Sequence, residues 1–201
     1  MKRLLAFALA LTMVFALAAC GGKSGTTDST ATAGTTPTAA AVTENAVYRT
    51  LYASEVTTLN YLITGQTNEL NIAANVVDCL VEYDAYGNVK EALAESWEQN
   101  EDATVWTFHI REGVKWVDVN GNEKGEVTAQ DFLTGLEWVL NFHKNDAANT
   151  SMPMEMIVGA EDYYNLTNEM DADTALALTA ESPEFADTVG IKAIDDYTLE
   201  Y

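Results

Sequence analysis

Apolar positions follow three regimes along the chain. They are almost unbroken from Leu4 to Ala19, give way to Gly, Ser, Thr and Ala from Gly21 to about Ala46, and become periodic after that. The periodic part predicts the elements. Tyr48 to Tyr52 alternates and reads as a strand, while Leu70, Ile72, Ala73, Val76, Val77 and Leu80 fall at near-helical spacing and predict a helix over Thr67 to Val81. Cys79 falls on that helix and reads as a small buried thiol. Asp84 to Asn88 is a turn, with Gly87 free to take positive φ. Val105 to Arg111 sets Trp106, Phe108 and Ile110 on one face and Thr107, His109 and Arg111 on the other, a half-buried strand. Val114 to Val119 predicts a second strand. Thr128 opens a helix, with Asp131 placed for a variant of the capping box, and Phe132, Leu136, Val139, Leu140 and His143 form its apolar stripe. Gly159 to Met170 and Asp173 to Thr179 predict shorter helices. Ile191 to Ile194 and Tyr197 to Tyr201 predict a hairpin around the turn Asp195-Asp196.

The first two regimes are an address and a tether. Met1-Lys2-Arg3 supplies positive charge ahead of the apolar run. As a helix that run spans about 24 Å, short of the roughly 30 Å hydrocarbon core. With small residues at Ala18 and Ala19 it reads as a secretory signal rather than an uncleaved anchor. Leu17-Ala18-Ala19-Cys20 followed by Gly21 resembles the bacterial lipobox. That resemblance implies cleavage before Cys20 and lipid on its thiol. The tract after Cys20 buries too little apolar surface to offset its ordering entropy. As a flexible coil of about 27 residues it reaches roughly 30 Å; an O-glycosylated stalk would serve the same spacing role.

Charge and composition exclude several functions. Ten Lys and Arg stand against 31 Asp and Glu, net −21, the wrong sign for a phosphate-backbone partner, so nucleic acid is not expected. Cys20 and Cys79 do not make a disulfide framework, and with no CxxC or Cys/His cluster there is no zinc ligand set. His109 and His143 have no nucleophile pattern beside them, so no triad is supported and no catalytic residue is assigned. Asp118-x-Asn120-x-Asn122 starts like a calcium loop. It carries Glu123 and Ala129 where Gly and Glu are needed, so it reads as a turn and no metal is expected. Neither GxGxxG nor GxxxxGK[ST] occurs, and no cofactor is implied.

Five segments in order carry a resemblance. Ser54-Glu-Val-Thr-Thr-Leu59, Glu91-Ala-Leu-Ala-Glu-Ser-Trp97, Val105 to Trp116, Val127-Thr-Ala-Gln-Asp-Phe132 and Val189 to Leu199 resemble the extracellular solute-binding proteins of family 5, the oligopeptide- and dipeptide-binding components of ABC importers. The sequence departs from the family pattern at Asn60-Tyr61, where Asp-Pro is common, and over Asp118 to Glu126, where the family turn is shorter.

The resemblance implies an α/β fold of the periplasmic-binding-protein type II kind, incomplete, with part of lobe I and most of lobe II. It divides the chain into a lipoprotein signal (1–19), a tether (20–46), the start of lobe I (47–80) and lobe II (81–201), truncated at its end. It further implies a binding protein on the outer face of the bacterial cell membrane, or in the periplasmic space where there is an outer membrane. Lipid on Cys20 would attach it, and it would hand peptides to an ABC permease and ATPase and perform no chemistry itself. The ligand loops it implies are Gly65, Gln66 and Thr67, and Ser151 and Met152, where relatives often carry Tyr. A shortened chain is expected to bind peptide weakly or not at all. Nickel, a sugar or a signalling peptide as solute, an envelope lipoprotein or non-functional remnant, and a hydrolase remain the alternative readings.

Overall fold

The computed structural model describes residues 49, 51, 54–144 and 149–201. All but Arg49 belong to one compact unit, Thr50–Tyr201. The signal, Cys20, the tether and most of the predicted strand Tyr48 to Tyr52 lie outside the described residues.

Alternation organises the sheet. β1 (Val81–Tyr83) and β2 (Val89–Glu91) form a short hairpin across the predicted turn, where Asp84 Oδ1 accepts from the backbone N–H of Tyr86 and Asn88 and Gly87 takes φ 83°. β3 (Ala94–Gln99) and β4 (Trp106–Ile110) are antiparallel, and β4 pairs on its other edge with the last strand of the chain. β5 (Lys115–Val117) and β6 (Glu123–Glu126) make a second separate hairpin. The helices follow: α2 (Ala129–Leu140), preceded in the chain by α1 (Thr67–Ala73), then α3 (Ser151–Met156), α4 (Ala160–Glu169), α5 (Ala172–Ala177) and α6 (Pro183–Ala186). β7 (Lys192–Asp195) and β8 (Thr198–Glu200) close the four-stranded antiparallel sheet, ordered β3-β4-β8-β7. Phe108 faces Trp97 on one neighbour and Leu199 on the other.

The core lies between this sheet and the helices. Ile110, Leu140, Tyr163, Phe185, Ile191 and Leu199 are each 2% exposed or less. Burying one such large side chain stabilises the fold by about 1.5–3 kcal/mol. The capping box forms, with Thr128 N–H donating to Asp131 Oδ2 at 2.8 Å. A buried polar cluster sits inside the helical layer. Lys144 Nζ donates to both Glu137 oxygens at 3.0 and 2.8 Å and to the Leu178 carbonyl, and Tyr163 Oη donates to Glu137 Oε1 at 2.7 Å. Burial and the adjacent Glu137 carboxylate raise the Tyr163 pKa far above its ordinary value.

Five expectations are corrected. The predicted helix Thr67 to Val81 ends at Ala73. The carbonyls of Cys79 and Leu80 instead accept from Leu93 and Ala94 N–H at 3.0 and 2.8 Å, a strand-like use that a helix cannot offer. Cys79 is therefore off the helix and exposed, not a buried thiol. His143 also lies past its helix, with its Nε2 3.2 Å from the Met170 carbonyl; of the predicted stripe Val139 and Leu140 are buried while Phe132 and Leu136 are half-buried, and Ala129, Leu133 and Glu137 are buried beside them. Within the long turn Asp118 to Glu126, the last residues form β6. The final turn sits one residue later than predicted, because Asp195 stays in β7.

Candidate functional site

The loop leading into α1 is shaped by one carboxylate. Glu69, in the first turn of α1, is 2% exposed. Its Oε1 accepts from Thr57 N–H (2.6 Å), Thr57 Oγ1 (2.7 Å) and Thr58 N–H (3.1 Å), and its Oε2 accepts from Thr64 Oγ1. These donors favour the charged form and hold the Glu69 pKa down to about 2. Beside it, Asn68 Nδ2 donates to the carbonyls of Ser54 and Glu55. The segment Ser54–Thr58 is thus pinned to the start of α1.

Thr64 is the junction. Its hydroxyl donates to Glu69 and accepts from Gln66 N–H at 3.0 Å, and its carbonyl accepts from Asn149 Nδ2 at 2.7 Å. Asn149 Nδ2 also lies 3.4 Å from the carbonyls of Tyr61 and Leu62. A carboxamide has two N–H hydrogens, so one serves Thr64 and the other is shared between Tyr61 and Leu62. Asn149 leads through Thr150 directly into α3, which begins Ser151-Met152. The structure therefore brings the two predicted ligand segments together: Gly65–Thr67 follow the junction, and Ser151 and Met152 follow Asn149. All five residues are exposed, and Met152 is 73% exposed.

Gly65 has a further property. Among the described residues, no group hydrogen-bonds its N–H or its carbonyl, while its neighbours Thr64 and Gln66 are both committed. A Cβ at this position would lie 3.8 Å from Asn149 Oδ1, so the two segments are in contact distance. An exposed residue with two free main-chain groups, on a loop held by Glu69 and by Asn149, can take an extended chain by strand-like hydrogen bonds.

A groove of about 650 Å³ borders the same loop, lined in part by Tyr61, Leu62, Leu70, Phe132, Leu136 and Asn149. Burial raises the Tyr61 hydroxyl pKa there, with the Cys79 thiol adding to it. No cluster of metal-ligating side chains occurs among the described residues. Asp118 accepts from Asn120 and Asn122 N–H and pairs with Lys124 at 2.9 Å, so the carboxylate that starts like a calcium loop is occupied as a turn anchor.

Glu69, Thr64 and Asn149 were not predicted. The signal for Asn149 was present as Asn149-Thr150-Ser151, a run of cap-forming residues ahead of an apolar stretch. Nothing local marks a contact between positions 85 residues apart.

Residues 88–201 match the family described as bacterial extracellular solute-binding proteins, family 5 Middle. Oligopeptide-binding protein AliB of Streptococcus pneumoniae is 35% identical over 159 residues, covering 79% of this chain and 22% of the relative. Oligopeptide-binding protein AmiA of the same species is 36% identical over 156 residues, 77% of this chain and 21% of the relative. The solved structure of Haemophilus influenzae OppA in complex with RPPGFSPFR superposes with a TM-score of 0.53 at 27% identity, over 71% of this chain and 24% of that one. The chain thus spans about a fifth of the length of the curated relatives it matches.

Proposed function

Because the chain belongs to the bacterial extracellular solute-binding proteins of family 5, we propose that it is part of a lipid-anchored receptor that captures oligopeptides or dipeptides outside the cytoplasm and delivers them to the permease of an ABC importer. In this reading residues 47–80 begin lobe I, residues 81–201 form lobe II, and Cys20 carries the lipid. The Leu17-Ala18-Ala19-Cys20 run and the tether support the anchoring. Two oligopeptide-binding relatives at 35% and 36% identity support the solute class.

One observation carries the ligand site: Gly65, exposed and with both main-chain groups unpartnered among the described residues, held beside Ser151 and Met152 by Asn149. A peptide bound there pairs its backbone with Gly65 and lays side chains toward Thr67 and Met152. Recognition through main-chain groups tolerates varied side chains, as a nutrient receptor requires.

The test is a titration of the ¹⁵N-labelled chain with RPPGFSPFR and with pentaalanine, followed by two-dimensional NMR. Saturable movement of the Gly65 and Gln66 amide resonances with both peptides is expected, and the method detects weak binding. Movement confined to other regions, or none at all, contradicts the reading.

A further inference from the structure

Asn149 stands apart from every other polar side chain of the loop region. It is the only described side chain that donates to the carbonyls of Tyr61, Leu62 and Thr64, and it reaches them from across 85 to 88 residues of sequence. The turn it grips has further bonds within itself and to the α1 side, where Asn60 N–H donates to Thr58 Oγ1 at 3.0 Å. Ile63 N–H donates to the Asn60 carbonyl at 3.2 Å and Leu62 N–H to Asn60 Oδ1 at 3.1 Å. Both bonds are local and would survive if the whole turn swung away from α3. Glu69 and Thr64 fix the turn to α1 but not to α3. Among the described residues, the hydrogen bonds between the Gly65 loop and the segment that carries Ser151 and Met152 all come from Asn149.

We propose that Asn149 is a positioning residue, a carboxamide latch that holds the Gly65 main-chain groups in register with Ser151 and Met152 so that one extended peptide can meet both. The proposal rests on the peptide-binding reading of those loops. Asn149 spends both N–H hydrogens on the turn, and the role assigned to it is to place Gly65. The side-chain type is specified by the chemistry. Three carbonyl oxygens converge on one nitrogen, which calls for a hydrogen-bond donor and excludes a group that only accepts. Asp is the same size and presents only oxygens, so Asn149→Asp sets a carboxylate against three carbonyls and repels the turn. Asn149→Ala merely leaves the carbonyls to water.

The experiment compares wild type, Asn149→Ala and Asn149→Asp in the whole ¹⁵N-labelled chain. Two quantities are read: amide hydrogen exchange over residues 61–67 and over α2, and the apparent Kd for RPPGFSPFR and pentaalanine from the Gly65 resonance. Exchange over 61–67 should quicken about tenfold in Asn149→Ala while α2 is unchanged. The Kd should weaken about tenfold in Asn149→Ala and further in Asn149→Asp. Unchanged exchange over 61–67 overturns the latch, and so does faster exchange spread over α2 as well. A latch effect on exchange with wild-type affinity in both variants overturns its role in positioning. If wild type shows no Gly65 shift with either peptide while exchange responds as stated, the latch stands and the peptide reading of the loops falls.

Discussion

Lys144→Met is the most informative perturbation of the fold. The Glu137 side chain is 3% exposed and that of Lys144 is 14% exposed, with their closest atoms 2.8 Å apart. Removing one member of a buried ion pair costs about 3–5 kcal/mol, because the other charge stays behind in a poor solvent. Glu137 Oε1 keeps two donors, Tyr163 Oη at 2.7 Å and Asn141 Nδ2 at 3.0 Å. These place the loss at the low end, about 3 kcal/mol. For a chain of this size that lowers Tm by roughly 6–12 °C. Adding Glu137→Gln removes the stranded charge and keeps an oxygen for Tyr163. The double variant should therefore recover about 1–2 kcal/mol over Lys144→Met alone. Urea unfolding followed by far-ultraviolet circular dichroism gives all four corners of the cycle. A loss under about 1 kcal/mol in Lys144→Met, the size of an exposed pair, or a double variant less stable than Lys144→Met, refutes the reasoning.

Two further predictions concern single features. Gly159 caps α4 with φ 72°, and a Cβ there would sit 1.9 Å from the Thr188 carbonyl oxygen. Gly159→Ala should cost more than about 2 kcal/mol, whereas Gly87→Ala, at φ 83° with nothing within 4 Å, should cost only the left-handed penalty of about 1 kcal/mol; thermal melts separate them. Glu69 and Glu126 have carboxyls held at about 2 against an ordinary 4.5, Glu69 first by Thr64 and Glu126 first by Lys115. Depressed folded values mean that their stabilisation is complete above pH 4.5 and lost as pH falls through 2. Tm should therefore drop across that window, with a shallower drop in Glu69→Gln.

The parts legible from sequence were those whose causes are local. The alternation Trp106 to Ile110 became β4, the Thr128 and Asp131 pair became a capping box, and the segment after Gly159 became α4. The helix over Thr67 to Val81 was read too long because its apolar period continues through Val77 and Leu80. Pairing of Cys79 and Leu80 with Leu93 and Ala94 overrides that period. β1, β2 and β6 are short and largely exposed, so they carry no burial pattern to read. The candidate loops were named through the resemblance, but what joins them was not. Thr64, Glu69 and Asn149 meet through polar contacts between distant positions, and periodicity is blind to those.

The most direct test of the peptide site uses a short peptide with a central benzophenone side chain, photo-cross-linked to the chain and mapped by mass spectrometry. Met152, exposed and beside the Gly65 loop, is a favoured partner for that chemistry. Attachment at Met152 and within Gly65–Thr67, suppressed by excess unlabelled peptide, is the predicted result. Attachment that maps elsewhere, such as the exposed Met156 and Val158 alone, or that excess peptide does not suppress, contradicts the account.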